Sequence, residues 1–251
     1  MFYFYKVRGI VPVVFYGDKK TVCQLAVRKV FGRLFPRVHG PVGRNRFQRI
    51  MAGLALVFFC GISTPVLGEP VILAFGDSLT AGYMVGEQQS YPARLQEILQ
   101  AKGYPHKVVN AGVTGDTTAG GVRRIDWLLK HEPKIVILEL GANDGLRGLS
   151  VTAMEANLET IIEICQANHA RVLLAGMKAL PNYGKEYNQE FEAVFTRLAE
   201  KHNLPLIPFF LANVAGIQKL TRPDGLHPVA AGYEIVTQTV WQYLEPMLAQ
   251  K

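Results

Sequence analysis

Short aliphatic and β-branched runs alternate with amphipathic stretches from residue 70 to the end of this 251-residue chain. Such alternation is typical of a parallel sheet covered by helices on both faces. The runs are nearly continuously apolar, as expected for strands buried on both sides. Five strands are predicted, at 71–75, 107–111, 134–140, 171–176 and 205–209. Five helices are predicted from apolar residues at three- and four-residue spacing, at 91–102, 117–130, 151–168, 186–202 and 229–248.

The positive charge of the chain is concentrated at its front. The formal net charge is +7, yet residues 1–50 hold 11 of the 27 Lys and Arg residues and one acidic residue, and the rest of the chain holds 16 basic and 19 acidic residues. A basic head of this kind can bind nucleic acid or an anionic membrane, or it can belong to a targeting leader. The lack of a basic excess after residue 68 disfavours nucleic-acid binding by the folded part.

An apolar run at 51–62 favours the leader. Three arginines precede it within eight residues, and the small residue Gly68 follows at a position suited to cleavage. We expect a basic leader with a signal-peptide-like segment at 1–68, a folded domain at 69–251 and a periplasmic or secreted location. The true start then lies inside the printed chain, because a signal peptide would begin near residue 42. An uncleaved anchor is the alternative, but Gly61 and Pro65 make the run a poor membrane span.

Polar, glycine-rich turns follow the first three predicted strands. These turns lie at 76–78, 112–116 and 141–144. Since ligands of open parallel sheets bind at the carboxyl ends of the strands, three such turns in register predict a site at this edge.

Three side chains of the sequence match the requirements of nucleophilic acyl transfer. Ser78 follows the first strand, and Asp224 precedes His227 by three residues, so that one turn can present both on the same side. A serine hydroxyl needs a base to remove its proton, and an imidazole oriented by a carboxylate supplies that base. Alone, His227 is more simply a surface or capping histidine; together with Ser78 and Asp224 it indicates a catalytic triad.

The negative charge that develops during attack on a carbonyl needs hydrogen-bond donors fixed in advance. The Asn143 amide and the backbone N–H groups of Ser78 and Gly115 are the predicted donors. Asp77 and Asp144 are predicted as turn and helix-start residues, because each directly follows glycine or asparagine at the end of a strand.

These blocks resemble the GDSL, or SGNH, hydrolases. The resemblance covers about residues 70–248 and rests on Gly76-Asp77-Ser78-Leu79, Gly115, Gly141-x-Asn143-Asp144 and Asp224-x-x-His227. The longer strings at 110–117 and 139–148 look like the bacterial periplasmic branch of acyl-CoA thioesterase, arylesterase and lysophospholipase. The resemblance implies a flavodoxin-like three-layer α/β/α fold with a five-stranded parallel sheet, and it implies that Ser78, Asp224 and His227 form the triad. Ser78, Gly115 and Asn143 would form the oxyanion hole, and residues 145–150 a mobile loop beside an acyl groove.

The expected substrates are carboxylic esters and thioesters, including aryl esters, acyl-CoA and lysophospholipids. This choice depends mainly on the resemblance, although apolar side chains near the predicted cleft can shelter a hydrocarbon chain. They are Leu146, Leu149, Leu180, Tyr183 and Phe210. No metal or organic cofactor is expected, no nucleic-acid partner is expected, and membrane contact is expected only through the leader or lipid substrates. The oligomeric state is left open.

Two other functions stay possible from the sequence. A carbohydrate O-acetylesterase uses the same triad on a wider and more polar groove, and a cleft-binding module would keep the fold without turnover. Competent residues at every catalytic position disfavour the binding module. Of three cysteines, Cys23 and Cys60 fall in the leader, so no internal disulfide is expected in the mature part, and Cys165 is predicted to lie in the core.

Overall fold

A computed structural model of the chain describes residues 68–249. Its centre is a five-stranded, fully parallel sheet in the order β2-β1-β3-β4-β5. The strands are β1 (Val71–Gly76), β2 (Lys107–Gly112), β3 (Pro133–Glu139), β4 (Arg171–Ala175) and β5 (Leu206–Ile207). This order is the one found in flavodoxin-like folds, which confirms the predicted fold class.

Seven α-helices connect and follow the strands within the described residues. They are α1 (Ser78–Ala81), α2 (Tyr91–Ala101), α3 (Thr118–Leu128), α4 (Ala142–Leu146), α5 (Val151–Ala167), α6 (Lys185–His202) and α7 (Ala230–Leu248). Short 3₁₀ helices lie at Glu87–Gln89, Leu129–His131 and Pro181–Tyr183.

The long helices form two groups, one on each face of the sheet. Crossovers between parallel strands are right-handed, so the reversal of direction between β1→β2 and β2→β3 places α2 on one face and α3 on the other. The packing agrees with this rule, because α2 contacts α7, whereas α5 contacts both α3 and α6. Three layers result, with the core on both sides of the central strands.

The carboxyl ends of the three central strands coincide. The last residues of β1 and β2 are register partners, Gly76 with Gly112, and Gly76 is also paired with Glu139 at the end of β3. The polar turns that follow these strands therefore start from one edge of the sheet. A side chain has no room at Gly112, because a Cβ there would collide with the backbone of Ala81 in α1.

The ends of the ten predicted elements agree with the structure to within two residues, although β5 keeps less than half of its predicted length. The predicted strand 205–209 is reduced to Leu206–Ile207, because Pro208 has no N–H for the ladder and the chain then turns so that Phe210 N–H bonds to the Gly176 carbonyl. Cys165 is fully buried in α5, as predicted.

The predicted leader at 1–68 lies outside the described residues except for Gly68, and so do Cys23 and Cys60; the boundary near residue 68 stays a prediction. Within residues 68–249, none of the helices combines the length and the hydropathy that a membrane span requires.

Candidate active site

The turn after β1 presents Ser78 as the first residue of α1. Asp77 is the N-cap of this helix, and its Oδ1 accepts the Leu79 N–H at 2.9 Å. The prediction that Asp77 is a helix-start residue is thus confirmed. Ser78 is 6% exposed and its hydroxyl borders a cavity, so a small substrate group can reach it.

Asp224 and His227 lie in one closed turn directly before α7. Asp224 Oδ1 accepts the backbone N–H groups of Leu226 at 2.9 Å and His227 at 3.0 Å, while Oδ2 accepts from His227 Nδ1 at 2.8 Å. Partial burial raises the pKa of Asp224, but these three donors outweigh it and hold the pKa below its ordinary value. Asp224 is therefore ionised and fixed around neutral pH.

The imidazole of His227 connects this turn to the nucleophile turn. Because the Asp224 carboxylate only accepts hydrogen bonds, Nδ1 carries the proton, and Nε2 of the neutral ring is left to accept from the Ser78 hydroxyl. The distance from Ser78 Oγ to His227 Nε2 is 2.9 Å, although the two residues are 149 positions apart in the sequence. The ring of Tyr83 packs on the imidazole with centroids 4.8 Å apart. The three predicted triad residues thus form one continuous hydrogen-bonded line.

Asn143 lies in α4, after β3, and faces the turn of Asp77 and Ser78. Its Nδ2 donates to Asp77 Oδ2 at 2.8 Å. Burial raises the pKa of Asp77 to about 6, although the bonds from Leu79 N–H and from Asn143 counteract the rise. One N–H of the Asn143 amide is thereby fixed on Asp77, which sets the direction of the second N–H.

Gly115 occupies a tight turn after β2. Its φ of +79° is left-handed, and the Asp116 N–H closes the turn on the Val113 carbonyl at 3.1 Å. Arg147, just after α4, donates from a guanidinium nitrogen to the Gly115 carbonyl at 2.7 Å. This bond connects the turns after β2 and β3.

Asp144 has a structural role, as predicted. It is 2% exposed and accepts both the backbone N–H and the hydroxyl of Thr118, at 2.9 and 2.7 Å. These bonds attach α4 to the start of α3 and so hold Asn143 in place.

A cavity of about 390 Å³ opens beside Ser78 and runs along the carboxyl edge of the sheet. Its walls come from the turns after β1, β3 and β4, from residues 209–216 and from the turn that carries His227. Most of the lining side chains are apolar, and they include the predicted Leu146 and Leu180. Lys178 is a basic residue on the wall, with Nζ 5.1 Å from the centre of the Phe209 ring.

Three predicted substrate contacts are not among the residues that line this cavity. Phe210 is fully buried in the core with its ring 5.4 Å from that of Tyr91, and Phe209 lines the cavity in its place. Tyr183 is exposed on the surface, and its hydroxyl donates to the Leu146 carbonyl at 2.8 Å. Leu149 is 40% exposed, and its carbonyl accepts from Tyr187. The hydroxyls of Tyr183 and Tyr187 thus hold the segment at 145–150 through its carbonyls.

One group of potential metal ligands occurs among the described residues, away from this cavity. Glu159, Glu163 and His202 place ligand atoms within 4.8 Å of one another. Glu159 is bonded to Lys201 and, at 2.8 Å, to His202. These ion-pair partners account for the cluster.

The site consists of a hydroxyl hydrogen-bonded to an imidazole, which is hydrogen-bonded to a carboxylate, at the carboxyl edge of a flavodoxin-like sheet. This arrangement defines a hydrolase of the serine type. The model of the GDSL-like Lipase/Acylhydrolase family matches residues 74–235, and the chain belongs to this family.

Esterase TesA of Pseudomonas aeruginosa is 40% identical over 196 residues, which cover 78% of this chain and 96% of that protein. Thioesterase 1/protease 1/lysophospholipase L1 of Escherichia coli K12 is 34% identical over 196 residues, covering 78% and 93%. Among solved structures, a crystal structure of TesA has a TM-score of 0.68 at 39% identity and covers 70% of this chain and 99% of its own. AlinE4, an SGNH-hydrolase family esterase, has a TM-score of 0.60 at 43% identity and covers 72% and 98%.

Proposed function

We propose that this protein hydrolyses carboxylic esters and thioesters through an acyl-enzyme on Ser78. The observation that carries the proposal is the line from Ser78 Oγ to His227 Nε2 and from His227 Nδ1 to Asp224, at 2.9 and 2.8 Å, beside a largely apolar cavity. Relatives named esterase, arylesterase and thioesterase 1/lysophospholipase L1 support the same reaction class.

The chemical steps follow from the positions of the protons. His227 Nε2 takes the Ser78 proton as Oγ bonds to the substrate carbonyl carbon, and the Asp224 carboxylate stabilises the imidazolium that forms. The imidazolium then gives its proton to the departing alcohol or thiol, and the acyl group stays on Oγ. A water molecule, deprotonated by the same nitrogen, releases the acid and restores the serine.

The oxyanion is proposed to bind the backbone N–H of Ser78, the backbone N–H of Gly115 and the free N–H of Asn143. The Ser78 N–H belongs to the first turn of α1, where backbone N–H groups have no partner within the helix. Gly115 in its left-handed turn and Asn143 held by Asp77 are both fixed before substrate arrives. Preorganised donors of this kind lower the barrier without a reorganisation cost.

Asn143→Ala is expected to lower kcat about 10²–10³-fold, because one oxyanion donor typically contributes about 3 kcal/mol. KM should change much less, since the donor acts mainly in the transition state. Steady-state kinetics with a p-nitrophenyl ester measure both constants. Asn168→Ala is the matched control, because the Asn168 side chain donates to the Ile164 carbonyl near the end of α5 and Asn168 is not among the residues that line the cavity. An equal loss in both variants would contradict the assignment.

The acyl chain is proposed to lie in the apolar cavity. Leu146, Leu180 and Phe209 line it over the carboxyl ends of β3, β4 and β5, a span of roughly 10 Å at about 4.8 Å per strand spacing. Burial of a methylene contributes about 0.8 kcal/mol, so two additional buried methylenes give about a tenfold gain.

An acyl-chain series on the full chain tests this function. The kcat/KM for octanoyl esters should exceed that for acetyl esters at least about tenfold, with thioesters of the same chains also hydrolysed. A preference for acetyl esters, above all on carbohydrates, would indicate the O-acetylesterase instead. Ligand binding with no turnover of any member would indicate a cleft-binding module.

A periplasmic or secreted location is part of the proposal. It rests on the basic and apolar pattern of residues 1–68, and the substrates of such a protein would be small-molecule acyl esters rather than nucleic acid. N-terminal sequencing of the exported protein is expected to give a terminus near residue 69; a terminus well upstream of residue 60 would contradict it.

A further inference from the structure

A fully buried carboxyl group lies directly beneath the nucleophile turn and takes no part in the steps above. It belongs to Glu139, the last residue of β3 and the register partner of Gly76 in β1. The absence of a side chain at Gly76 makes room for it, since a Cβ there would lie 2.5 Å from Glu139 Oε2 and would collide with the Thr80 hydroxyl. The carboxyl group therefore lies between the end of β1 and the helix that carries Ser78.

One oxygen of this carboxyl group contacts a residue before Ser78 in the chain and a residue after it. Glu139 Oε2 accepts the Thr80 hydroxyl at 2.8 Å and the backbone N–H of Asp77 at 3.4 Å. Asp77 in turn caps α1 and holds the Asn143 amide. A displacement of Glu139 would thus move both the nucleophile and an oxyanion donor.

The other oxygen has no hydrogen-bond partner among the described residues. Glu139 Oε1 is buried, and so is the Tyr233 hydroxyl, which also lacks a partner within this part of the chain. A buried carboxylate with one unpaired oxygen would be very costly, whereas a neutral acid costs far less.

Hydrogen bonds from Thr80 and Asp77 lower the pKa of Glu139, but two larger effects outweigh them. Burial, first, and the charge of Asp77, second, raise the pKa of Glu139 well above its ordinary value. The titratable groups that face it are Asp77 from the turn after β1, Tyr91 from α2 and Tyr233 from α7. Burial also raises the pKa of both phenols, so neither supplies a compensating charge.

We propose that Glu139 is a positioning residue that stays a neutral carboxylic acid at neutral pH and holds the turn of Ser78 and Asp77 in its reactive geometry. This inference rests on the proposed esterase function for its kinetic consequence. Its protonation state, however, can be measured without turnover.

Two replacements separate charge from shape. Glu139→Gln keeps the size, the hydrogen-bond acceptor and the neutral state, so its kcat should stay within about threefold of wild type. Glu139→Met removes the acceptor for Thr80 and Asp77, so its kcat should fall at least about tenfold with KM changed less than about threefold. Equal losses in the two variants, or a wild-type kcat in Glu139→Met, would overturn the inference.

Infrared difference spectra give a readout that a purely structural role would not move. The spectrum of the wild type minus Glu139→Gln should show the C=O stretch of a protonated carboxylic acid at about pH 7, far above the ordinary glutamate pKa. Glu155→Gln is the matched control, because the bonds from Arg197 lower the pKa of Glu155 and its difference spectrum should show carboxylate bands only. Carboxylate bands for Glu139 would overturn the neutral acid.

The pH dependence of unfolding is a second readout, which also remains available if Glu139→Met does not fold. Because the pKa of Glu139 is raised in the folded state, its contribution to stability is complete below the unfolded pKa and is lost as the pH rises from the unfolded pKa through the folded pKa. The wild type should therefore lose stability with rising pH more steeply than Glu139→Gln. Equal slopes would contradict the inference.

The two proposals fail in different ways. An inactive wild type that shows the protonated C=O band would refute the esterase and the kinetic consequence while the neutral acid stands. An active wild type without the band would refute the neutral acid and leave the esterase intact.

Discussion

Replacement of Ser78 by alanine is expected to lower kcat for an octanoyl ester by about 10⁵–10⁶-fold, the loss typical of removing the nucleophile of a triad. The reason is that His227 Nε2 is directed at the Ser78 hydroxyl at 2.9 Å, and alanine offers no hydroxyl for it to deprotonate. The remaining rate would come from the oxyanion donors and from binding alone. The residual kcat can be measured in discontinuous assays with long incubation at high enzyme concentration.

The fold of the Ser78→Ala variant should be unchanged, since only one partly shielded oxygen is removed; its unfolding midpoint provides the check. Thr160→Ala is a control, because the Thr160 hydroxyl donates to the Ala156 carbonyl in α5, and its loss should leave kcat as it is. Turnover by Ser78→Ala above about one hundredth of the wild-type rate would refute the acyl-enzyme on this residue.

Asp224→Asn is expected to lower kcat about 10⁴-fold by imposing the wrong tautomer on His227. The asparagine oxygen can keep the bonds from Leu226 N–H and His227 N–H, so the turn should survive. Its NH₂ group would then face Nδ1, which must become an acceptor, and the ring proton would move to Nε2. The nitrogen beside Ser78 could no longer accept the serine proton.

The pH profile separates this effect from a simple loss of structure. In the wild type the pKa of Asp224 lies below its ordinary value, so the carboxylate acts throughout the neutral range and is lost only as the pH falls through that lowered pKa. Asp224→Asn should be impaired at every pH at which the wild type is active. Asp126→Asn, an exposed acid-to-amide change on α3, should match the wild type, and a similar loss there would contradict the tautomer argument.

Much of the fold could be predicted because doubly covered strands leave continuous apolar runs. The five long helices could also be predicted, because their apolar residues recur at three- and four-residue spacing. The four- and five-residue helices α1 and α4 were not, because an apolar period is recognised only over a window of about 11 residues or more. Both short helices hold residues of the site, so the local geometry around Ser78 and Asn143 was accessible only from the structure.

The lining of the cavity was less predictable than the triad. Phe209 and Phe210 are adjacent aromatic residues, and which of them faces the cavity depends on the turn that Pro208 forces after β5. Asp77 was correctly predicted as a turn or helix-start residue, but its bond to Asn143 joins residues 66 positions apart. The only indication of Glu139 in the sequence is that an acidic residue interrupts a mostly apolar run. Its burial could not be predicted, because it depends on Gly76 in the neighbouring strand.

The closed turn that holds Asp224 and His227 has a consequence for biosynthesis. An antiparallel bridge between Thr221 and Pro228 and a 2.8 Å bond from Arg222 N–H to the His227 carbonyl make the turn a single unit that leads straight into α7. A ribosome therefore adds Ser78 to the chain 149 residues before it adds His227, and it adds Asp224 and His227 only after the last strand of the sheet. Until the turn before α7 has folded against the sheet, Ser78 has no imidazole to activate it, so we expect the nascent chain to be inactive up to that point.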